Sequence, residues 1–141
     1  MYSTEFLTYC KTIPGTITSL RKAVLFSLWQ ADKPLKAYDI LSELVSIKPG
    51  YTAVTIYRVL SFYISLGIVH KIESIQAYTL CTEPHKNLPS EVLMVCNSCH
   101  QVKEVYDDVM LQLLIEMTIK LNFQLSQETI ELRGLCLMCL H

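Results

Sequence analysis

Between Ser19 and Gln30 the chain is free of Gly and Pro, sets Leu20, Val24 and Leu28 at helical spacing and is preceded by Thr16 and Thr18 as candidate caps. That pattern predicts a helix. Pro34 permits a second start, and Leu35, Tyr38, Leu41, Leu44 and Val45 repeat the stripe until Lys48-Pro49-Gly50 breaks it. Thr52 can then cap a third helix, Thr52–Leu66, in which Ile56, Val59, Leu60, Tyr63 and Ile64 face inward while Thr55, Arg58 and Ser61 lie elsewhere, and Gly67 closes it. Two β-rich runs follow, Ile68–Ile72 and Ala77–Cys81, with Glu73–Gln76 as the hairpin turn. Helix, helix, helix, hairpin is the order of a winged helix.

The Pro-containing polar stretch Thr82 to Ser90 separates this half from the next and is the candidate hinge. Beyond it Val92–Val95 and Val102–Tyr106 read as strands, and Asp107 or Asp108 can cap a helix from about Val109 to Leu121. Phe123–Ser126 and Thr129–Leu132 read as two further strands before Gly134. The predicted class is α+β, with a winged-helix domain over residues 1–81, a hinge over 82–90 and a small domain of mixed helix and strand over 91–141.

Composition narrows the class of protein. Hydrophobic residues make up 51% of 141, enough for a real core and against disorder. No apolar run approaches the roughly 20 residues of a membrane-spanning helix, and the start lacks the pattern of a signal peptide, so a cytoplasmic protein without a membrane partner is expected. Net charge is −1, but it is unevenly spread. Residues 1–80 carry 8 Lys+Arg against 5 Asp+Glu, and residues 81–141 carry 4 against 8. A mildly basic half beside an acidic half suits a nucleic-acid face beside a metal or partner face, although differences of this size also arise from solvated surface alone.

Four of the six cysteines form two CxxC pairs, Cys96-Asn97-Ser98-Cys99 and Cys136-Leu137-Met138-Cys139. A two-residue gap lets both thiolates of one turn reach the same ion, and zinc takes four tetrahedral ligands. Each pair follows a predicted strand, so pairing those strands would bring the turns together. Four thiolates leave no open position, which makes such a zinc structural and not catalytic. A redox-active CxxC would be a single motif opening a helix in a βαβ setting, and paired disulfides would need an oxidising compartment. His100 and His141 stand beside the turns as outer or solvent residues, and Cys10 reads as packing.

A helix that reads DNA presents polar and cationic side chains on one face and packs the other. Thr52–Leu66 has that division, and Arg58 is its one side chain able to grip guanine O6 and N7 with two bonds. Thr52 and Thr55 stand at its start, Tyr57 and Tyr38 could meet thymine methyls or phosphates, and Arg21, Lys22, Lys36 and Lys71 would contact the backbone. The same pattern also describes a helical subdomain with a few basic residues.

The runs Ala37-Tyr38-Asp39-Ile40-Leu41, Thr55-Ile56-Tyr57-Arg58-Val59-Leu60 and Gly67-Ile68-Val69-His70-Lys71-Ile72-Glu73-Ser74 resemble the DNA-binding half of the ferric uptake regulator family, closest to its zinc-uptake branch. Ala77-Tyr78-Thr79-Leu80-Cys81, Cys96-x-x-Cys99 and Gly134-Leu135-Cys136-x-x-Cys139 continue the match in order and spacing, so that it runs from about Ser19 to Cys139. The resemblance implies a homodimer whose winged helices bind a palindromic double-stranded operator and whose C-terminal halves dimerise. It further implies one structural and one regulatory Zn²⁺ per chain, the second locking the halves for DNA binding, and repression of zinc-uptake genes. No enzyme activity or small-molecule substrate is expected.

Carried over by position, the structural ligands fall on Cys96, Cys99, Cys136 and Cys139, the DNA-reading tyrosine on Tyr38 and the base-reading arginine on Arg58. The regulatory site takes His70, Cys81 and Glu104. Relatives place a further histidine in the hinge eight residues after the wing cysteine, where this chain has Pro89; the histidine present in this hinge is His85. A set of imidazole, thiolate and carboxylate suits zinc, and the thiolate disfavours Mn²⁺ and Mg²⁺. With ligands on the wing, the hinge and the second half, bound metal would favour one relative orientation. Three other readings compete. A sibling iron, manganese or peroxide sensor would favour histidine and carboxylate over Cys81. A zinc deaminase needs an H-x-E context that His70-Lys71-Ile72 lacks. A zinc-ribbon adaptor would bind protein and not shift DNA.

Overall fold

The computed structural model describes residues 2–81, 92–125 and 130–140. The chain divides into two compact units, residues 1–84 and 85–141. The hinge stretch 82–90, with His85 and Pro89, falls outside the described residues, as does His141.

The first unit opens with a helix the sequence reading did not anticipate, α1 (Thr4–Lys11), capped by Ser3, whose Oγ accepts from the Phe6 N–H at 3.2 Å. Phe6 and Cys10 point from it into the core. Helix α2 (Ser19–Gln30) is capped by Thr18, so of the two candidate threonines the nearer one serves. Helix α3 (Ala37–Ile47) begins where Asp39 Oδ2 accepts from the Lys36 N–H at 3.1 Å, one arm of a capping box. Helix α4 (Ala53–Ser65) is capped by Thr52 and ends at Gly67, whose φ of +73° is the left-handed value that favours glycine. Strands β1 (Val69–Ile72) and β2 (Ala77–Leu80) pair antiparallel around the Glu73–Gln76 turn, with His70 opposite Thr79. Leu35, just before α3, adds an antiparallel bridge to Tyr78 on the outer side of β2. This is a winged helix.

Its core is continuous. Phe6, Val24, Leu25, Ile40, Ile56, Leu60 and Tyr63 are all essentially inaccessible to solvent, and the Tyr63 hydroxyl is satisfied by donating to the Arg21 carbonyl at 2.7 Å. Val45 and Ile64, placed on the inward stripes, are exposed, as is Tyr38, which the sequence put both on the stripe of α3 and among the candidate DNA contacts; Ala37 and Ile40 join the expected Leu44 on the buried side of α3. Helical spacing fixes which residues share a face, not how wide a strip of that face is covered.

In the second unit β3 (Val92–Cys96) is central, with β4 (Val102–Val105) antiparallel on one side and β5 (Ile130–Gly134) parallel on the other. The parallel pairing requires a long crossover, and α5 (Asp108–Lys120), capped by Asp107 Oδ1 accepting from Met110 N–H at 3.0 Å, lies within it. The expected strand Phe123–Ser126 does not form over its described residues, 123–125, and the last strand runs through Gly134. The α5–β5 connection leaves α5 through Asn122 in the left-handed region, a helix exit and not a strand entry.

Candidate metal centre and nucleic-acid interface

Parallel pairing of β3 with β5 sets Cys96 opposite Gly134, so the turns that follow the two strands emerge side by side. The Asn97 N–H donates to the Gly134 carbonyl at 2.8 Å and ties the first turn to the end of β5. Each turn then closes on itself, through His100 N–H to the Cys96 carbonyl and Cys139 N–H to the Cys136 carbonyl, both at 3.0 Å. His100 makes this closure possible by adopting a φ of +62° and points to solvent. The result is convergence of four sulfurs, Cys96, Cys99, Cys136 and Cys139, within 4.8 Å of one another.

All four are free thiols, and Cys99 Sγ stands 3.7 Å from Cys136 Sγ. Sulfurs at the corners of a tetrahedron around zinc, each about 2.3 Å from the ion, are about 3.8 Å apart. The donor set and its spacing fit that metal. Backbone N–H groups of Cys99 and Cys136 point at Cys96 Sγ, at 3.5 and 3.4 Å, and bring its thiol down to about 6. Cys139 receives a hydrogen bond from Ser98, but the neighbouring Cys136 sulfur and burial outweigh it and push this thiol up to about 11. Four thiolates this close repel one another, and a divalent cation at their centre removes that conflict.

In the first unit, His70 on β1 and Cys81 just after β2 lie on adjacent strands. The Cys81 N–H donates to the Ile68 carbonyl at 2.8 Å. Both side chains are buried, and a ring nitrogen of His70 and the Cys81 sulfur lie within 4.8 Å of each other. A borderline nitrogen donor and a soft sulfur donor are thus set together by the wing alone. Glu104 sits on β4 of the second unit, opposite Leu93, and its Oε2 accepts from the Tyr106 hydroxyl at 2.6 Å.

The outer face of α4 carries Tyr57 and Arg58, both exposed, with Thr52 and Thr55 at its start. Thr52 Oγ1 accepts from the Thr55 N–H at 3.4 Å and the two hydroxyls are 3.0 Å apart, so both side chains are oriented by the cap. Tyr38, at the start of α3, is 65% exposed. Val54, which the sequence reading did not single out, is 59% exposed one helical turn before Arg58 on the same face. Of the four cations expected to meet a phosphate backbone, two are engaged within the unit. Arg21 donates to the Thr16 carbonyl at 2.9 Å and stacks 3.7 Å over the Phe62 ring, and Lys71 pairs with Glu73 at 3.5 Å.

Residues 15–133 match the ferric uptake regulator family. The chain belongs to that family. Within it, the zinc uptake regulation protein of Escherichia coli strain K12 is 32% identical over 123 residues, 87% of this chain and 72% of that protein. The ferric uptake regulation protein of Vibrio cholerae is 30% identical over 124 residues, 85% of this chain and 79% of that one. Among solved structures, a zinc uptake regulator complexed with zinc and DNA superposes with a TM-score of 0.81 at 29% identity, covering 96% of this chain and 90% of the other. Holo XcZur matches equally well, with a TM-score of 0.81 at 30% identity over 97% and 98% of the two chains. Family members of different metal specificity thus differ little in overall identity to this chain, and its own ligand chemistry has to discriminate. No helix among the described residues is long and apolar enough to cross a membrane.

Proposed function

We propose that this chain is a cytoplasmic, zinc-responsive transcriptional repressor that binds operator DNA as a homodimer when a regulatory zinc site is filled, and so controls zinc-uptake genes. The observation that carries the reading is the buried His70–Cys81 pair on the wing. A thiolate beside an imidazole favours zinc over the iron, manganese and peroxide sensors of the same family, whose sites are built from histidine and carboxylate.

Each chain holds two zinc ions in this reading. One sits in the four-cysteine clamp and is structural. The other takes His70, Cys81, Glu104 and His85, the last in place of the histidine that Pro89 displaces. Because His70 and Cys81 belong to one unit and Glu104 to the other, zinc binding favours one relative orientation of the units, and operator DNA tightens zinc binding by the same factor as zinc tightens DNA binding. Arg58 reads guanine with two bonds, while Tyr38, Tyr57 and Val54 meet thymine methyls or sugar and phosphate. Thr52 and Thr55 present the N-terminus of α4 to a phosphate. The second unit dimerises through the apolar face of α5, where Val109, Leu113 and Met117 are exposed one turn apart.

The test is operator binding by gel shift at fixed salt across buffered Zn²⁺, Fe²⁺ and Mn²⁺. Zinc alone should produce the shifted complex in its buffered range, and Cys81→Ser should abolish the zinc response while keeping clamp zinc and the dimer. His85→Ala should behave as Cys81→Ser does if His85 is the fourth ligand. A wild-type zinc response in Cys81→Ser would refute the regulatory site.

A further inference from the structure

Val54 lies in the first turn of α4 and is 59% exposed. Neither burial nor helix propensity accounts for a β-branched residue there, since most of it lies in water and Ala forms helix better. Its neighbours one turn on are Tyr57 and Arg58, both exposed, and Thr52 caps the same end, while Ile56 and Val59 are buried on the other side. The outcome is a single aliphatic side chain set among hydroxyl and guanidinium groups on the face turned away from the core. An apolar spot of one branched side chain is too small to hold a protein partner. It matches the size of one methyl group, and the major groove offers that group on one base, thymine.

We propose that Val54 is a specificity-determining residue that reads the C5 methyl group of one thymine in each operator half-site, beside the guanine gripped by Arg58. The inference rests on α4 entering the major groove, as proposed above. In a helix valine holds one strongly preferred χ1 rotamer, so its two methyl groups are already placed and little freedom is lost on contact. Four residues of α-helix advance about 6 Å, and successive bases of a duplex strand about 3.4 Å, so the thymine lies within two base pairs of the guanine. The contact uses no hydrogen bond, and its whole content is the apolar surface that the two side groups remove from water.

The zinc-loaded full chain selects duplexes from a random-sequence library at fixed salt, and each thymine of the selected site is replaced in turn by deoxyuridine, which loses only the C5 methyl group. At one thymine per half-site, within two base pairs of the guanine whose preference Arg58→Ala relaxes, the replacement should weaken wild-type binding about 4-fold, the factor for one methyl group taken out of water. Val54→Ala should bind the thymine and deoxyuridine duplexes equally at that position and keep its response to deoxyuridine elsewhere. Clamp zinc and the thermal transition of the first unit should stay at wild-type values. A merely structural valine would weaken both duplexes alike and leave their ratio unchanged. If deoxyuridine is tolerated at every thymine, or if its effect is as large in Val54→Ala as in the wild type, Val54 does not read the base, and the guanine contact of Arg58 is untouched by that result. If no duplex is selected, α4 does not bind DNA and the role of Val54 fails with that reading.

Discussion

The two units solve the problem of stability differently. Among the described residues, 19 buried hydrophobic side chains belong to residues 1–84 and 5 to residues 85–141, whereas 8 of the exposed large hydrophobics lie in the first unit and 12 in the second. The first unit closes around Phe6, Leu25, Ile40 and Tyr63, and its exposed side chains are available for recognition. The second buries only Leu111 of α5, leaves Met94 and Leu132 exposed on its sheet and converges its strand ends on four thiols. A unit of that size with so little core needs a staple, and a metal and a partner surface are the two its chemistry offers.

That contrast is broken most sharply by removing the metal. Cys96→Ser should unfold the second unit and release its zinc, because apparent binding energies of structural zinc sites reach about 10–16 kcal/mol and are folding energy. Zinc per chain and oligomeric state check it, and the winged helix should retain its own thermal transition. A folded dimer with unchanged zinc would sink the clamp. Next in size is the partner surface. Leu113→Glu places a charge on the exposed α5 stripe, which in a dimer interface costs about 3–5 kcal/mol for want of a counter-charge. Sedimentation should show monomers that keep clamp zinc; an unchanged dimer would move the interface elsewhere.

The same contrast decides what the sequence could disclose. In the first unit, caps and stripes are local signals, so Thr18, Thr52 and Gly67 bound their helices and the wing follows from two β-rich runs. Helix α1 escaped because it is short and its stabilisation is tertiary, through Phe6 packed edge-on against Phe26 and Trp29 at 4.9 and 5.6 Å. In the second unit, the CxxC spacing announced the four cysteines that converge, but not that β3 and β5 run parallel in register from Val92 with Ile130 to Cys96 with Gly134. Strand direction is a property of the crossover, and no local pattern encodes it. The Arg21 side chain was legible as a cation but not as one stacked on Phe62, since that contact joins α2 to α4, distant along the chain.

A self-supporting first unit should tolerate changes on its outer face, and Arg58 tests this together with recognition. Arg58→Ala should weaken operator binding by about 1–3 kcal/mol per lost two-bond guanine contact and relax preference at one position in each half-site. Clamp zinc and thermal stability should stay at wild-type values. Unchanged affinity and preference would show that α4 does not read bases.

The smallest effect sharpens the claim that the units are stabilised separately. Tyr63 is buried at the centre of the first unit, and burial, reinforced by nearby Cys10 and opposed by Arg21, raises its phenol well above the usual tyrosine value. A folded-state value above the unfolded one, about 10, means that the contribution of the neutral phenol is complete below pH 10 and declines as pH rises past it. Seven of the eight tyrosines lie within residues 1–84, so alkaline spectral titration reports chiefly on this unit. Tyr63→Phe removes the donation to the Arg21 carbonyl and should cost about 1 kcal/mol at neutral pH, or roughly 4–8 °C in the transition of a domain this small. Above pH 10 the gap between variant and wild type should narrow, because the wild type alone has this phenol to ionise. The remaining alkaline loss reflects Tyr2, Tyr9 and Tyr78, which burial raises as well. Clamp zinc, measured at neutral pH in the variant, should equal the wild type; zinc loss on Tyr63→Phe would mean that the core of the first unit also supports the clamp of the second.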